Sequence, residues 1–332
     1  MRQTHNLILA ALALVAAVSC NKVETPASEG TPLTIRATLG TDEGTKVGYI
    51  PDGNILKTAW DANETITVIT VDGSGNVVTI DNFDYSGTGG KTVEFSGSLS
   101  SGATSDIRLL YPALEGSPYD GTHYGTSLPD GQTGEPARLI REVKIGSKIA
   151  TFAGNDAFTQ VSSGDTNHLG KSVVYSGTGT VTGSVLSVTV QPLSSVLCLD
   201  ITLPSSAVGE GAQSVYVTAF DSLDNDYNFT PSNQWFNFFN GEEFPKFGNN
   251  LEVYLGSWTG TTQNMMYVDG TALKVYMPFI PVSGTVLGPS GGKKLKVSCS
   301  VPGVTIPDKF ITLTTDTALE SGKVYRLSAD FS

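Results

Sequence analysis

The sequence has few cysteines, few histidines and little charge. Its 332 residues include three of each of those two types, and charged residues make up only 16% of the chain. His123 and His168 stand outside any HxxxH or HExxH spacing, which does not support a helical zinc site. Ser290 fits a G-x-S-x-G pattern at residues 288–292, but no histidine comes after it to act as a base. We therefore predict no enzymatic activity, no metal site and no cofactor.

Positive charge is also scarce, and the net charge is -12. Loss of Arg2 with a cleaved signal would leave 19 basic residues against 32 acidic ones. Because nucleic-acid binding depends on clustered Lys and Arg, we expect no nucleic-acid partner. The acidity instead suits a surface that faces water.

The three cysteines do not form an evident disulfide framework. Beyond Cys20 there are only Cys198 and Cys299, each inside a strand-like run. A disulfide between them remains open if the protein lies in an oxidising compartment. We favour two buried free thiols, because sequence alone does not bring their Cα atoms within bridging distance.

The long apolar run is confined to the beginning of the chain. Residues 1–6 are polar and carry Arg2, residues 7–18 are apolar, and small residues lead to Cys20. This pattern predicts a secretory signal over residues 1–20, and the run is too short to span a bilayer. The end resembles a bacterial lipobox, in which the cysteine is acylated, although Ala17 stands where leucine is more usual. The alternative is an ordinary signal peptide that happens to end near a cysteine.

A tether and then a series of strands come after the signal. Residues 21–32 have no apolar period and predict a flexible tether. From Leu33, apolar and polar residues alternate, which predicts a half-buried strand with Leu33, Ile35, Ala37 and Leu39 on one face. The same alternation ends the chain, with Tyr325, Leu327, Ala329 and Phe331 on one face.

Many short strands separated by Gly, Asp, Asn and Pro turns predict an all-β protein. The chain contains 37 glycines, and segments rich in helix-forming residues are missing after the signal. This pattern predicts β-sandwiches. A polar, Gly-rich and Ser-rich stretch at residues 164–183 suggests a boundary between one sandwich at 33–175 and a second at 176–332.

Two clusters of residues could each form a binding site or have an ordinary structural role. An acidic cluster could bind calcium or simply form a turn, because the EF-hand spacing is absent. An aromatic cluster could stack on sugar rings or belong to a core. The acidic cluster comprises Asp221, Asp224, Asn225, Asp226 and Asn228, and the aromatic cluster comprises Tyr227, Trp235, Phe236, Phe238 and Phe239.

Several segments, taken in order, resemble the fimbrillin family, the subunits of type V pili. The segment TAWDANETITV at 58–68 is similar to the family's W-x-x-G-D-x-I-x-V segment, with Asn63 and Glu64 in place of Gly-Asp. The others are VEFSGSL at 93–99 with LYP at 110–112, SLPDGQT at 127–133, and GKVY at 322–325. Together with the lipobox they cover most of the chain.

The resemblance implies two tandem transthyretin-like antiparallel β-sandwich domains. It also implies a lipoprotein precursor, acylated (for example with palmitate) at Cys20, that reaches the outer membrane and the cell surface. In stalk subunits of the family a protease removes the first strand, and a strand from the C-terminus of another subunit fills the groove. The expected partners are therefore other fimbrillin-like subunits, the membrane through the lipid, and a surface ligand of a host or bacterium in adhesion.

The resemblance assigns candidate roles in strand exchange to specific residues of this sequence. The candidate removable strand contains Leu33, Ile35, Ala37 and Leu39, and the candidate donor strand contains Tyr325, Leu327, Ala329 and Phe331. The ordinary alternative is that both are permanent edge strands. The family's protease cuts after Arg, whereas the loop at 40–48 offers only Lys46 as the candidate maturation site. Without that cut, the protein would be an anchor, a tip or a pilus-independent surface lipoprotein that binds glycans.

Overall fold

The computed structural model shows one compact unit over Thr31–Ser332. The structure describes residues 30–40, 50–52, 55–57, 59–71, 77–100, 106–111, 113, 140–142, 159–173, 175–221, 223–225, 227, 230–231, 235–237, 247–248, 250–259, 262–281, 284–291, 293–311 and 313–332. Cys20, Lys46 and His123 lie outside the described residues.

The first half of the compact unit contains eleven described strands and one short helix. The strands are β1 (Thr31–Leu39), β2 (Ile50–Asp52), β3 (Ile55–Lys57), β4 (Thr65–Val71), β5 (Val77–Asp84), β6 (Thr92–Leu99), β7 (Asp106–Tyr111), β8 (Ile140–Glu142), β9 (Thr159–Gln160), β10 (Tyr175–Thr182) and β11 (Val185–Pro192). The helix α1 spans Leu169–Ser172.

The second half contains fourteen described strands and two 3-10 turns, Ser205–Ala207 and Pro289–Gly291. The strands are β12 (Ser195–Thr202), β13 (Gly211–Ala212), β14 (Ser214–Phe220), β15 (Thr230–Pro231), β16 (Trp235–Asn237), β17 (Phe247–Gly248), β18 (Asn250–Thr259), β19 (Thr262–Tyr267), β20 (Ala272–Phe279), β21 (Val286–Leu287), β22 (Lys294–Ser300), β23 (Lys309–Ile311), β24 (Thr317–Ala318) and β25 (Val324–Asp330). The all-β prediction is confirmed for the described chain.

The first half closes into a barrel with the strand order β1-β11-β10-β7-β4-β5-β6, in which β6 pairs again with β1. Most neighbours are antiparallel, as the alternating pattern predicts, but β1 and β11 run parallel. The sheets are therefore not purely antiparallel as expected. Parallel pairing of β1 and β11 joins segments that are about 150 residues apart, and local sequence patterns carry no information on such a pairing.

The second half repeats the strand order of the first in two separate sheets. One sheet has the order β20-β12-β25, and the other contains β18-β14-β22-β23. The equivalent strands of the first half are β6-β1-β11 and β5-β4-β7-β10, so the two halves share one topology. Even the parallel pair is repeated, because β12 runs parallel to β25. The difference is closure: β10 and β11 are paired, whereas no ladder joins the described strands β23 and β25.

Each half has its own buried core. The core of the first half packs around Trp60, Phe83 and Phe95 and also includes Cys198 and Val324 from the second half. The chain leaves the barrel of the first half at Pro192, the last residue of β11, and enters the sheets of the second half at Ser195, the first residue of β12. The predicted boundary at 175/176 falls at the start of β10, which pairs with both β7 and β11.

Candidate strand-exchange site

Strand β1 lies in the middle of its sheet, with a hydrogen-bonded neighbour on each side. Ile35 is opposite Leu186 of β11 in the parallel register and opposite Phe95 of β6 in the antiparallel register. Strand β1 is therefore not an edge strand, whereas its removal stays a prediction. A strand in this position completes the backbone hydrogen bonding of two neighbours, so its departure would leave two unpaired edges facing one groove.

The inward face of β1 is the one the alternation predicts. Leu33, Ile35, Ala37 and Leu39 are all buried, and Ile35 and Ala37 are fully so. A fully buried Leu or Ile contributes about 1.5–3 kcal/mol, so the three large side chains together contribute roughly 5–9 kcal/mol. A groove without β1 would expose this apolar lining, which makes an empty groove unfavourable and a filling strand favourable.

Trp60 holds β1 from inside the barrel. Its indole Nε1 donates a hydrogen bond to the carbonyl oxygen of Ala37 at 3.2 Å, and its side chain is 1% exposed. The ring packs edge-on against Phe95 and Tyr111, each with a centroid separation of 5.0 Å. The sequence contained Trp60 within the fimbrillin-like segment but indicated no role for it. In the closed barrel it contacts the backbone of β1 through this hydrogen bond.

The outward face of β1 carries polar pairs with β6. Arg36 forms an ion pair with Glu94 at 2.6 Å, and the hydroxyls of Thr38 and Thr92 are 2.9 Å apart. The Arg36 and Glu94 side chains are 56% and 52% exposed, and exposed ion pairs contribute little to stability. The apolar inward face therefore dominates the stability of this strand.

Among the described strands β25 pairs only with β12, which places it at the edge of its sheet. It runs parallel to β12, with Leu327 opposite Leu199. Ala329 and the following Phe331 are buried, while Tyr325 and Leu327 are partly buried. The predicted inward face is thus present, but Val324 is also fully buried, on the opposite face, within the core of the first half.

Tyr325 ties β25 to the preceding chain. Its hydroxyl accepts a hydrogen bond from the amide of Glu320 at 2.6 Å and lies 3.1 Å from the carbonyl oxygen of Ala318. Partial burial raises the pKa of this phenol. If β25 left its own sheet to act as a donor, these contacts and the buried packing of Val324 would be lost.

A groove of about 450 Å³, lined by both apolar and polar side chains, lies beside β25, where the second half is open. Tyr325 and Leu327 line it from β25, and Phe279, Leu287 and Ile311 line it from the surrounding strands. In the first half the equivalent strands β10 and β11 pair and close this position. The groove is therefore a consequence of the missing ladder between β23 and β25.

The other candidate residues have structural roles. Cys198 and Cys299 are buried free thiols, the alternative favoured from the sequence. Burial raises the pKa of both thiols, that of Cys299 to about 12. His168 is buried before α1, with its Nε2 2.8 Å from the carbonyl oxygen of Tyr276, and burial lowers its pKa. Ser290 lies in a 3-10 turn, and its amide donates to Asp316.

The acidic cluster forms a turn in its described part. The Asp221 carboxylate accepts hydrogen bonds from the Asn225 side chain at 3.1 Å and from the amides of Asn225 and Leu223 at 2.9 and 2.8 Å. These hydrogen bonds, that of the Asn225 side chain first, lower the pKa of Asp221. Asp226 and Asn228 lie outside the described residues. No group of three or more His, Cys, Asp or Glu that could hold a metal ion occurs among the residues described.

The aromatic cluster is described only in part. Tyr227 packs against the second core, and the Lys293 ammonium lies over its ring at 4.3 Å from the centroid. Trp235 and Phe236 belong to β16, which pairs with β8, and Phe238 and Phe239 lie outside the described residues. The ring face of Tyr227 that Lys293 covers is therefore not open for sugar stacking.

Within the described part of the chain, no helix has both the length and the apolar character needed to cross a membrane. The placement of Cys20 and Lys46 stays a prediction, since both residues lie outside that part.

The chain can be aligned with several solved structures. A candidate cell adhesion protein from Bacteroides ovatus is 13% identical, with 91% of this chain and 93% of that chain covered and a TM-score of 0.41. The fimbrial anchor protein Mfa2 from Porphyromonas gingivalis is 10% identical over 81% and 78% of the two chains, with a TM-score of 0.35. A fimbrial protein from B. ovatus is 10% identical over 92% and 51%, with a TM-score of 0.30.

These neighbours are named as cell adhesion and fimbrial proteins. No family model and no curated protein matches the sequence.

Proposed function

We propose that the protein is a structural, fimbrillin-like subunit of a cell-surface pilus, assembled by strand exchange after proteolysis. The observation that carries the proposal is the position of β1, which is buried between β11 and β6. Only residues 40–49 link it to β2. A cut in this segment would leave β1 without a covalent link to the barrel that it completes.

The proposed fold is a tandem pair of transthyretin-like sandwiches. The order β6-β1-β11 facing β5-β4-β7-β10 recurs as β20-β12-β25 facing β18-β14-β22-β23. Two copies of one seven-strand topology are what a tandem arrangement requires. In the first half the strands of this topology join into a closed barrel, whereas in the second half they form two separate sheets.

The proposed donor strand matches β1 in its pattern of side-chain sizes. Leu33, Ile35, Ala37 and Leu39 would be replaced by Tyr325, Leu327, Ala329 and Phe331 from another subunit, with an alanine third in both series. The small third residue suits a groove in which Trp60 approaches the backbone of β1 at Ala37. The incoming strand would run parallel to β11 and antiparallel to β6.

In this proposal Cys20 carries the lipid that brings the precursor to the outer membrane and the cell surface. A cut after Lys46 would remove lipid, tether and β1 together. A subunit cut there would join the pilus as a stalk component, whereas an uncut subunit would stay at the surface as an anchor or a tip.

Limited trypsin digestion of the folded protein tests the proposal. We expect a single early cut after Lys46, then loss of residues up to 46 and formation of multimers that resist dissociation. Mass spectrometry would identify Val47 as the new first residue, and size-exclusion chromatography would detect the multimers. The control is Lys46→Ala, which should stay intact and not assemble. Protein that is cut after Lys46 but remains a monomer would contradict strand exchange.

A further inference from the structure

The outer edge of β25 presents a row of backbone groups that no described strand pairs with. The Val196 amide donates to the Lys323 carbonyl at 2.9 Å, and the Phe331 amide donates to the Thr202 carbonyl at 2.8 Å. Odd-numbered residues therefore direct their backbone groups toward β12. Because these groups alternate along a strand, the even-numbered residues of β25 direct theirs to the other edge. No described strand pairs with that edge.

The side chains of these even-numbered residues are arranged symmetrically about Ser328. Arg326 and Asp330 stand two positions before and after it, and all three residues are exposed. In an antiparallel pair of two β25 strands centred on Ser328, Arg326 lies opposite Asp330 of the second copy. The two-fold symmetry creates this contact twice. Opposite charges directly across an antiparallel pair are stabilising.

Other registers lose this match. A pair centred on Arg326 or on Asp330 places two like charges opposite each other, which is destabilising. A pair centred on Leu327 or on Ala329 places each charged side chain opposite an uncharged one. The sequence of β25 therefore selects the register centred on Ser328.

The opposite face of the same pair is apolar. In the register centred on Ser328, Leu327 lies opposite Ala329 of the second copy, and Tyr325 lies opposite Phe331. Tyr325 and Leu327 are only partly buried and line the groove of about 450 Å³ beside this edge. A second strand at the edge would therefore extend the inner, apolar face of the sheet next to that groove.

We propose that the uncut protein forms a two-fold symmetric dimer by antiparallel pairing of β25 with β25 of a second copy. The three-stranded sheet β20-β12-β25 would then continue into its symmetry mate as one six-stranded sheet. Three facing pairs around Ser328 would exchange about six backbone hydrogen bonds. The dimer uses β25 in its own sheet, so it does not depend on the proposed cut or on strand exchange.

The dimer can be tested by reversing the charges of Arg326 and Asp330 one at a time and then exchanging them. Sedimentation velocity over concentrations up to on the order of 100 μM should show a monomer–dimer equilibrium for the wild type. Arg326→Asp and Asp330→Arg should each weaken the dimer at least about tenfold, since each places like charges opposite each other. The double variant that exchanges the two charges should restore the dissociation constant to near the wild-type value.

Two further variants test whether the dimer depends on backbone pairing at the edge of β25, and whether a loss of the dimer reflects a general effect of charge or of folding. Ser328→Pro removes an outward amide without removing an amide bonded to β12, so the dimer should be lost while the thermal midpoint stays near that of the wild type. Lys274→Asp makes the same kind of charge reversal on β20, at the far side of the same three-stranded sheet, and should leave the dimer unchanged.

A wild-type protein that stays monomeric at the highest concentration would overturn the proposal. A dimer that Ser328→Pro does not affect, or single reversals that the double exchange does not rescue, would also overturn it. The trypsin assay on the monomeric variants distinguishes failure of the dimer from failure of the proposed function. These variants should still be cut after Lys46.

Discussion

The packing of β1 predicts that a single truncation within it strongly destabilises the protein. Ile35 is fully buried between Leu186 and Phe95, so Ile35→Ala leaves a cavity that two paired strands hold open. Truncations of this kind cost about 2–5 kcal/mol. For a unit of this size that corresponds to a thermal midpoint lower by roughly 5–15 °C.

Arg36→Ala is the matched control on the same strand. The Arg36 side chain is 56% exposed and its ion pair with Glu94 lies at the surface, so we expect a loss of at most about 1 kcal/mol. Chemical denaturation monitored by tryptophan fluorescence would measure both variants. Equal small losses for Ile35→Ala and Arg36→Ala would refute the inference that the inward face of β1 stabilises the barrel.

Three other predictions concern buried side chains. Trp60→Phe should cost about 1–3 kcal/mol, measured by denaturation, because the carbonyl oxygen of Ala37 loses its indole donor. Burial holds the pKa of His168 below its unfolded value, so its contribution to stability is full above about pH 6.5 and is lost as the pH falls through the folded pKa. His168→Gln should flatten that part of the stability profile, and an unchanged profile would contradict this origin. A thiol reagent should label Cys198 and Cys299 slowly in native protein and rapidly in denaturant, whereas rapid native labelling would contradict their burial.

Much of the local structure could be predicted from the sequence, because alternation reports directly on which face of a strand is buried. The inward residues of β1 and the presence of β25 are both predictable in this way. The partners of these strands could not be predicted. The parallel pairing of Ile35 with Leu186 joins distant segments, and nothing in either segment specifies the other. Trp60 shows the same limit, since its contact with Ala37 exists only once the barrel closes.

The repeat of the strand order is not visible as a repeat of residues, although the family resemblance implies two tandem domains. Strands β1 and β12 are equivalent in the strand order, yet β1 has the sequence TPLTIRATL and β12 has SVLCLDIT, and the two share only the need for buried apolar positions. Many sequences satisfy that need, so two copies of one topology can diverge until no repeat is visible. The strand order, which is set by pairing between distant segments, is the same in both halves even though their residues differ.

The duplication also explains why β1, and not its equivalent, is the strand that a single cut would release. Both β1 and β12 lie between a parallel last strand and an antiparallel neighbour. The chain enters β12 directly from β11 and leaves it toward β13, so removing β12 requires two cuts within the compact unit. One cut between β1 and β2 separates β1 from all the later strands, because β1 is the first of the described strands. If the lipid at Cys20 holds that tether, the departing strand remains on the membrane while the barrel, with its groove open, is free to accept another strand.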